Sequence, residues 1–238
     1  MLHFRLFGIP VVIHPSLWIV LAILGGGLRL GGVGFELMPM VMFMVAAFLS
    51  LMVHELGHAL VGRGLCGSRV AIEMACMGGA CLSVGGRVSR WTDIARTAAG
   101  PGFALLFGLV FVGILSQYLV DPSTVWRVTW QWILNEPVIE WYHAIAWDRL
   151  NPYMYYFLNY SIFVASWWSA FNLLPIFPMD GGQILGNLVR SRRTMHLVGM
   201  LTAAGVALVA LTFEWWIAAA FLGYFSFLNY KMFQEYSR

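Results

Sequence analysis

Ser50-Leu-Met-Val-His54-Glu55-Leu-Gly57-His58-Ala-Leu-Val-Gly62-Arg63-Gly64 is the stretch that decides how the chain folds. In a helix, residues four apart share a face, so His54 and His58 can present their imidazoles to one metal ion with Glu55 beside them. This is the H-E-x-x-H arrangement of metal-dependent hydrolases. Its setting is unusual, because Met38 to Leu60 is otherwise almost wholly apolar and long enough to cross a bilayer. The motif is therefore expected inside a membrane.

Composition points the same way. The chain is 60% hydrophobic and 11% charged with a mean hydropathy of +0.76, whereas about a quarter of the residues in a soluble domain are charged. The net charge of +3 and pI near 8.9 could suggest nucleic acid. The arginines instead fall at the ends of apolar segments and form no basic face, so no nucleic-acid partner is expected. Cys66, Cys76 and Cys81 are odd in number and contain no C-x-x-C pair, which argues against a disulfide framework. Leu6 to Leu24 contains His14-Pro15 and lacks a small-x-small cleavage site, so it reads as a retained helix, not a signal peptide.

Worked outward, the chain reads as an all-α polytopic membrane protein of about six transmembrane helices, each needing about 20 apolar residues. The spans are Val11 to Leu30, Met38 to Gly62, Ile94 to Leu119, Tyr155 to Leu174, Met195 to Leu211 and Trp215 to Tyr230. A Gly-rich turn with Gly31, Gly32 and Gly34 joins the first two. Alternation between Val70 and Val84 predicts a short strand or hairpin turning at Gly78-Gly79. Val120 to Pro152 is aromatic, and Trp126, Trp130, Ile133 and Leu134 fall at helical spacing, which suits a helix lying in the membrane interface. An ordinary aromatic belt reads equally from these residues, and a gate for substrate less so. With a cytoplasmic amino terminus, eleven basic residues lie inside (Arg5, Arg63, Arg69, Arg87, Arg90, Arg96, Arg190, Arg192, Arg193, Lys231, Arg238) against Arg29, Arg127 and Arg149 outside. Both termini are then expected in the cytoplasm, in a multi-pass protein of the cell membrane.

An ionisable side chain at the centre of a membrane helix costs about 2.5–3.5 kcal/mol on insertion scales, so Glu55 needs a partner there. A metal ion held by two neutral imidazoles would supply it. A catalytic site of this kind takes a third protein ligand, and the cytoplasmic-side candidates are His3, His14, Cys66, Glu73, Cys76, Cys81, Asp93, Asp180 and His196. Asp180 is distinctive because it follows Asn172-Leu-Leu-Pro175-Ile-Phe-Pro178-Met, where the prolines forbid a regular helix, and precedes Gly181-Gly182. It could equally cap a helix beginning near Gly181. In the metal reading, Glu55 takes the proton of a metal-activated water and returns it to the leaving nitrogen. Asn172 reads as a hydrogen-bond donor to the substrate or its oxyanion, or as a satisfied contact between helices.

His54-Glu55-x-x-His58 in the second span, Ala99-Gly100-Pro101 in the third and Asn172-x-x-Pro175-x-x-Pro178-x-Asp180-Gly181 after the fourth together resemble the site-2 protease family of intramembrane zinc metalloproteases. The resemblance implies one zinc ion per chain on His54, His58 and Asp180, Glu55 as general base and Asn172 as a substrate or oxyanion contact. It also implies a membrane-associated hairpin around Met77-Gly78-Gly79-Ala80 and substrates that are transmembrane or membrane-anchored proteins. Residues 1–238 then read as a single transmembrane metalloprotease domain in its compact form, lacking PDZ and CBS modules, so that any regulation would come from a separate protein. Two positions depart from the family pattern: Ala104 stands where many relatives carry Asn, and Gln183 where some carry Arg. A non-proteolytic transporter or metal-binding protein is the competing reading of the same buried His, Glu and Asp.

Overall fold

A computed structural model describes residues 1–27, 36–76, 78–118, 122–133 and 150–236. Gly31, Gly32, Gly34, Arg29, Met77, Leu134, Arg149 and Arg238, which carried parts of the sequence reading, lie outside the described residues.

The amino-terminal residues form strands, where the sequence reading began a first span at Val11. β1 (Leu2–Leu6) and β2 (Ile9–Ile13) form an antiparallel hairpin, turning at Phe7 and Gly8, which have φ of 51° and 78°. The physical signal was the two-residue period: Ile9, Val11 and Ile13 are buried while Pro10 is exposed. Pro10 argues against a central strand, yet β2 pairs with β3 only from Val11 onward, so the missing N–H of Pro10 faces no partner on that side. The helix that follows, α1 (Pro15–Leu24), has ten residues and starts on Pro15, whose fixed φ suits a first helical position.

α2 (Leu37–Cys66) carries His54, Glu55 and His58 near its middle and ends at Gly67 in the left-handed conformation. β3 (Arg69–Ala75) and β4 (Gly78–Val84) follow as an antiparallel hairpin. β3 also pairs in parallel with β2, giving a four-stranded sheet in the order β1-β2-β3-β4. Val11, Ile13, Ile72 and Met74 on one face of this sheet pack on Leu51 and Leu56 of α2. The edge strand β4 is thereby laid beside the polar turn of α2.

α3 (Arg90–Tyr118) packs along α2, followed by α4 (Pro122–Ile133) and α5 (Pro152–Asn172). On α4 the exposed Trp126 and Trp130 rings meet edge to face at 5.9 Å. After α5 the chain breaks over residues 173–179 and resumes as α6 (Asp180–Val189), α7 (Arg192–Thr212) and α8 (Trp216–Glu235). The last two form an antiparallel pair around Ala203, Leu222 and Phe225. Among the described residues three helices are long and apolar enough to cross a membrane: α2, α3 and α7. Only 33% of the apolar window of each is buried inside the protein. The rest, including Leu106 and Leu109 of α3 and Leu201 and Leu208 of α7, forms an outer surface whose apolarity suits hydrocarbon better than water.

Gly57 sets the approach of α2 to α3, because a Cβ there would run into the Ala99 carbonyl, whereas a Cβ on Gly64 would meet nothing within 4 Å. Gly57→Ala should therefore lower the melting temperature of the protein in detergent micelles, by the roughly 1–3 kcal/mol that overpacking costs. Gly64→Ala, one turn and more beyond, should raise it slightly, because alanine is better than glycine in an open helical position. Equal shifts in the two variants would contradict the close α2–α3 contact.

Candidate metal centre

His54 and His58 project from one face of α2, with their Nε2 atoms 3.1 Å apart. Asp180, the first residue of α6, places Oδ2 3.1 Å from His54 Nε2 and 3.4 Å from His58 Nε2. One ligand atom from each of the three side chains can be chosen so that all lie within 4.8 Å of one another. His54, Glu55 and Asp180 are 2%, 4% and 7% exposed, so their polar atoms must be satisfied by each other or by something bound between them.

The hydrogen bonds decide which. His58 Nδ1 lies 2.9 Å from the Arg96 carbonyl, so that nitrogen carries the proton and Nε2 of the neutral ring keeps a bare lone pair. That lone pair faces the Asp180 carboxylate and the His54 ring. Asp180 Oδ2 accepts no well-oriented hydrogen bond, although both imidazoles are close. His54 Nδ1 is buried without a partner, and His54 Nε2, His58 Nε2 and Asp180 Oδ2 crowd one space in which His54 could supply at most a single proton; a cation there would satisfy all three acceptors. The Arg96 carbonyl then performs the usual orienting role toward a metal-bound imidazole. The donor set, two imidazoles and one carboxylate, suits zinc with a further position open.

Small residues make the arrangement fit. A Cβ on Gly100 would collide with the His58 imidazole, so the Ala99-Gly100-Pro101 segment is small where α3 passes that ring. Ser169 Oγ of α5 lies 2.7 Å from the Ala165 carbonyl of its own helix and 3.1 Å from the Pro101 carbonyl, and shares its one hydrogen between them where α5 passes the proline inside α3. A side chain on Gly79 of β4 would occupy the space of the Glu55 carboxylate, and the Cys81 backbone N–H donates to that carboxylate. Cβ atoms on Gly181 and Gly182 would strike the backbone of Leu173, Leu174, Ile176 and Phe177. The broken segment thus folds tightly back over the start of α6 and delivers Asp180 to the histidines. Asp180 sits in the first turn of α6 with Met179 as N-cap, and its carboxylate faces the imidazoles.

A cleft of about 1190 Å³ opens onto the centre. His54, Glu55, His58 and Asp180 line it together with β4, Trp168 and Asn172. Asn172 uses one amide hydrogen on the Trp168 carbonyl at 2.8 Å and keeps the other for the cleft. The remaining candidate ligands are engaged elsewhere. Glu73 pairs with His14 at 2.8 Å, Asp93 with Arg96 at 2.6 Å and with Asn187 at 2.8 Å, and His196 bonds Asn229 at 2.9 Å. His3 is exposed on β1, Cys76 is exposed and Cys66 is buried at the end of α2. Cys81 lines the cleft. Ala104 is fully buried, and Gln183 donates to the Pro178 carbonyl at 3.0 Å. Sequence reasoning read Gly79 only as part of the hairpin and Arg96 only as a charge at a segment end, and missed Trp168; Arg96 acts through a backbone atom that its side-chain identity does not signal.

Residues 42–212 match the family model for peptidase family M50. Among curated proteins, a zinc metalloprotease of Methanocaldococcus jannaschii is 26% identical over 214 residues, an alignment that covers 88% of this chain and 52% of the relative. The chain thus spans about half the length of the curated relative that it matches. Among solved structures, the site-2 protease from Methanocaldococcus jannaschii is similar in fold, with a TM-score of 0.56 and 20% identity over 100% of this chain and 95% of that one.

Burial, with a smaller contribution from the Glu55 charge, pushes the Cys81 thiol up to about 11. The thiolate is the reactive form, so at pH 8 the metal-free protein should alkylate at Cys81 about 100-fold more slowly than an unperturbed exposed thiol would. Glu55→Gln should speed the reaction. Mass spectrometry of iodoacetamide-labelled peptides against time checks both, and equal rates before and after the substitution would contradict the proximity of Glu55 to Cys81.

Proposed function

The chain belongs to peptidase family M50, and from that membership we propose that it is an intramembrane zinc endopeptidase cleaving transmembrane or membrane-anchored proteins within or near the bilayer. The observation that carries the reading is the convergence of His54, His58 and Asp180 beside a buried Glu55 on one cleft among apolar helices.

His54, His58 and Asp180 would hold the zinc, which when bound supplies a Lewis acid able to activate water and polarise a carbonyl. Glu55 takes the proton of the attacking water and returns it to the leaving nitrogen. The Cys81 N–H fixes one side of the Glu55 carboxylate, and Gly79 leaves room for it. Asn172 offers its second amide hydrogen to the substrate backbone or the developing oxyanion. The apolar helices keep bulk water away, so these few dipoles act at full strength.

A membrane helix hides its peptide bonds, so a substrate must be drawn out before it is cut. β4 is the edge strand of the sheet, and the Cys81 backbone N–H serves Glu55 of α2, outside the sheet. By the two-residue period, Ser83 turns its N–H to the same side, so an extended substrate can add there. In this reading the hairpin is membrane-associated, and the chain makes about six passes through the cell membrane with both termini in the cytoplasm, as the charge balance favours. A separate protein would supply regulation.

Reconstitution in lipid vesicles with single-span substrates tests the assignment. Wild-type protein should give peptide products that vanish with chelator and return with zinc. Glu55→Gln should bind zinc normally while cutting about 10²–10⁴ times more slowly, the usual contribution of a general base. Products that persist in Glu55→Gln would remove the base, and zinc-independent substrate flux without cleavage would favour a transporter. Ser83→Pro deletes an edge N–H and should cut cleavage by about tenfold or more at unchanged zinc content, an expected loss of one or more backbone hydrogen bonds. Undiminished cleavage in that variant would exclude strand addition.

A further inference from the structure

Asn229 lies in the carboxyl-terminal half of α8 with no exposed surface, although Lys231 follows two residues later. Its amide is fully used. Nδ2 donates to the Phe177 carbonyl at 2.7 Å and to the Phe225 carbonyl of its own helix at 2.9 Å, while Oδ1 lies 2.9 Å from His196 Nδ1. A reversed amide would aim its oxygen at two carbonyls, so the orientation is forced. It follows that Oδ1 accepts and that His196 Nδ1 donates.

Phe177 lies in the broken segment, three residues before Asp180. Pro175 and Pro178 offer no N–H by which that segment could be held. Within it Ile176 N–H bonds Leu174 and Met179 N–H bonds Ile176. Among the described residues, the hydrogen bond from Asn229 is the one that ties the segment to the α7–α8 pair. The fit is close. A Cβ on Gly199 of α7 would lie 2.7 Å from Asn229 Oδ1, and the His196 ring packs edge to face on Phe177 at 5.3 Å.

We propose that Asn229, oriented by His196, is the positioning residue that holds the Asp180-bearing segment at the metal centre. The inference rests on Asp180 being a metal ligand. It makes the carboxyl-terminal helix pair part of the metal site without contributing a ligand, since a shift of α8 moves the Phe177 carbonyl and with it the first turn of α6.

Zinc affinity reports this directly. Metal-stripped protein in lipid nanodiscs is titrated with zinc against a chromophoric chelator, and with cobalt to follow its visible absorption. Asn229→Leu should weaken zinc about 10–100-fold, the usual effect of removing an outer partner of a metal site, and should change the cobalt spectrum. Gly199→Ala keeps every polar group and crowds chiefly the Asn229 amide, its Cβ meeting the Pro175 carbonyl only at 3.4 Å, so it should weaken zinc in the same direction even if Asn229→Leu fails to fold. Asp180→Ala is the reference. If Asp180→Ala weakens zinc while folded Asn229→Leu or Gly199→Ala binds it as wild type does, with an unchanged cobalt spectrum, the positioning role is overturned and the metal site stands. If Asp180→Ala has no effect, the metal site as assigned falls, and this inference falls with it.

Discussion

Three neighbouring polar side chains, His54, Glu55 and His58, sit inside a helix whose apolar window has a mean hydropathy of 2.1, and the fold is built so that each of them meets a partner. Left alone in an apolar environment each of them would be costly. Each neighbouring element answers part of that demand with backbone atoms. α3 brings the Arg96 carbonyl to His58, β4 brings the Cys81 N–H to Glu55, and the broken segment brings Asp180 to both imidazoles. Backbone groups can come this near only where side chains are missing, which accounts for Gly79, Gly100, Gly181 and Gly182 in physical terms.

The sheet belongs to the same logic. A strand beside Glu55 must have its other edge paired, or its own polar groups would be stranded in an apolar place. β3 pairs β4, β2 pairs β3, and β1 closes the far side. The amino-terminal hairpin thus supports the active cleft from a distance, by holding β3 in register through Val11 to Ile13. Its buried face packs on Leu51 and Leu56, close in sequence to the residues whose environment it helps to set.

Much of this was legible in the chain. Apolar runs marked α2, α3 and α7, because hydrocarbon-facing helices are apolar on every side and need no periodicity to be seen. The pairing of His54 with His58 follows from helix geometry, and the prolines and glycines around Asp180 announce a break. β1 and β2 were not legible, since Val11 to Ile13 looks equally like the start of a helix until its partner Ile72 to Met74 is known. α1 lay within the expected first span, Val11 to Leu30, but the helix ends at Leu24 before Gly25. The roles of Arg96 and Asn229 were invisible for different reasons: the first residue acts through its carbonyl, and the second resembles any polar residue near a helix end until its bond to Phe177 is seen.

In the proposed site the third ligand comes from outside α2. His54 and His58 already occupy consecutive turns of one face, and the next position on that face is Gly62, a further turn along the axis. The ligand had to arrive on another element, and a continuous helix would have kept its backbone at interaxial distance, about 8–10 Å away. Breaking the helix brings the backbone near but frees N–H and C=O groups inside an apolar bundle. Pro175 and Pro178 remove two of those N–H groups outright, while Gln183 and Asn229 satisfy the carbonyls of Pro178 and Phe177. The Pro-x-x-Pro-x-Asp-Gly-Gly spelling is therefore a solution to one problem: how to bring a carboxylate on irregular backbone to two buried histidines among apolar helices while leaving few backbone groups unpaired.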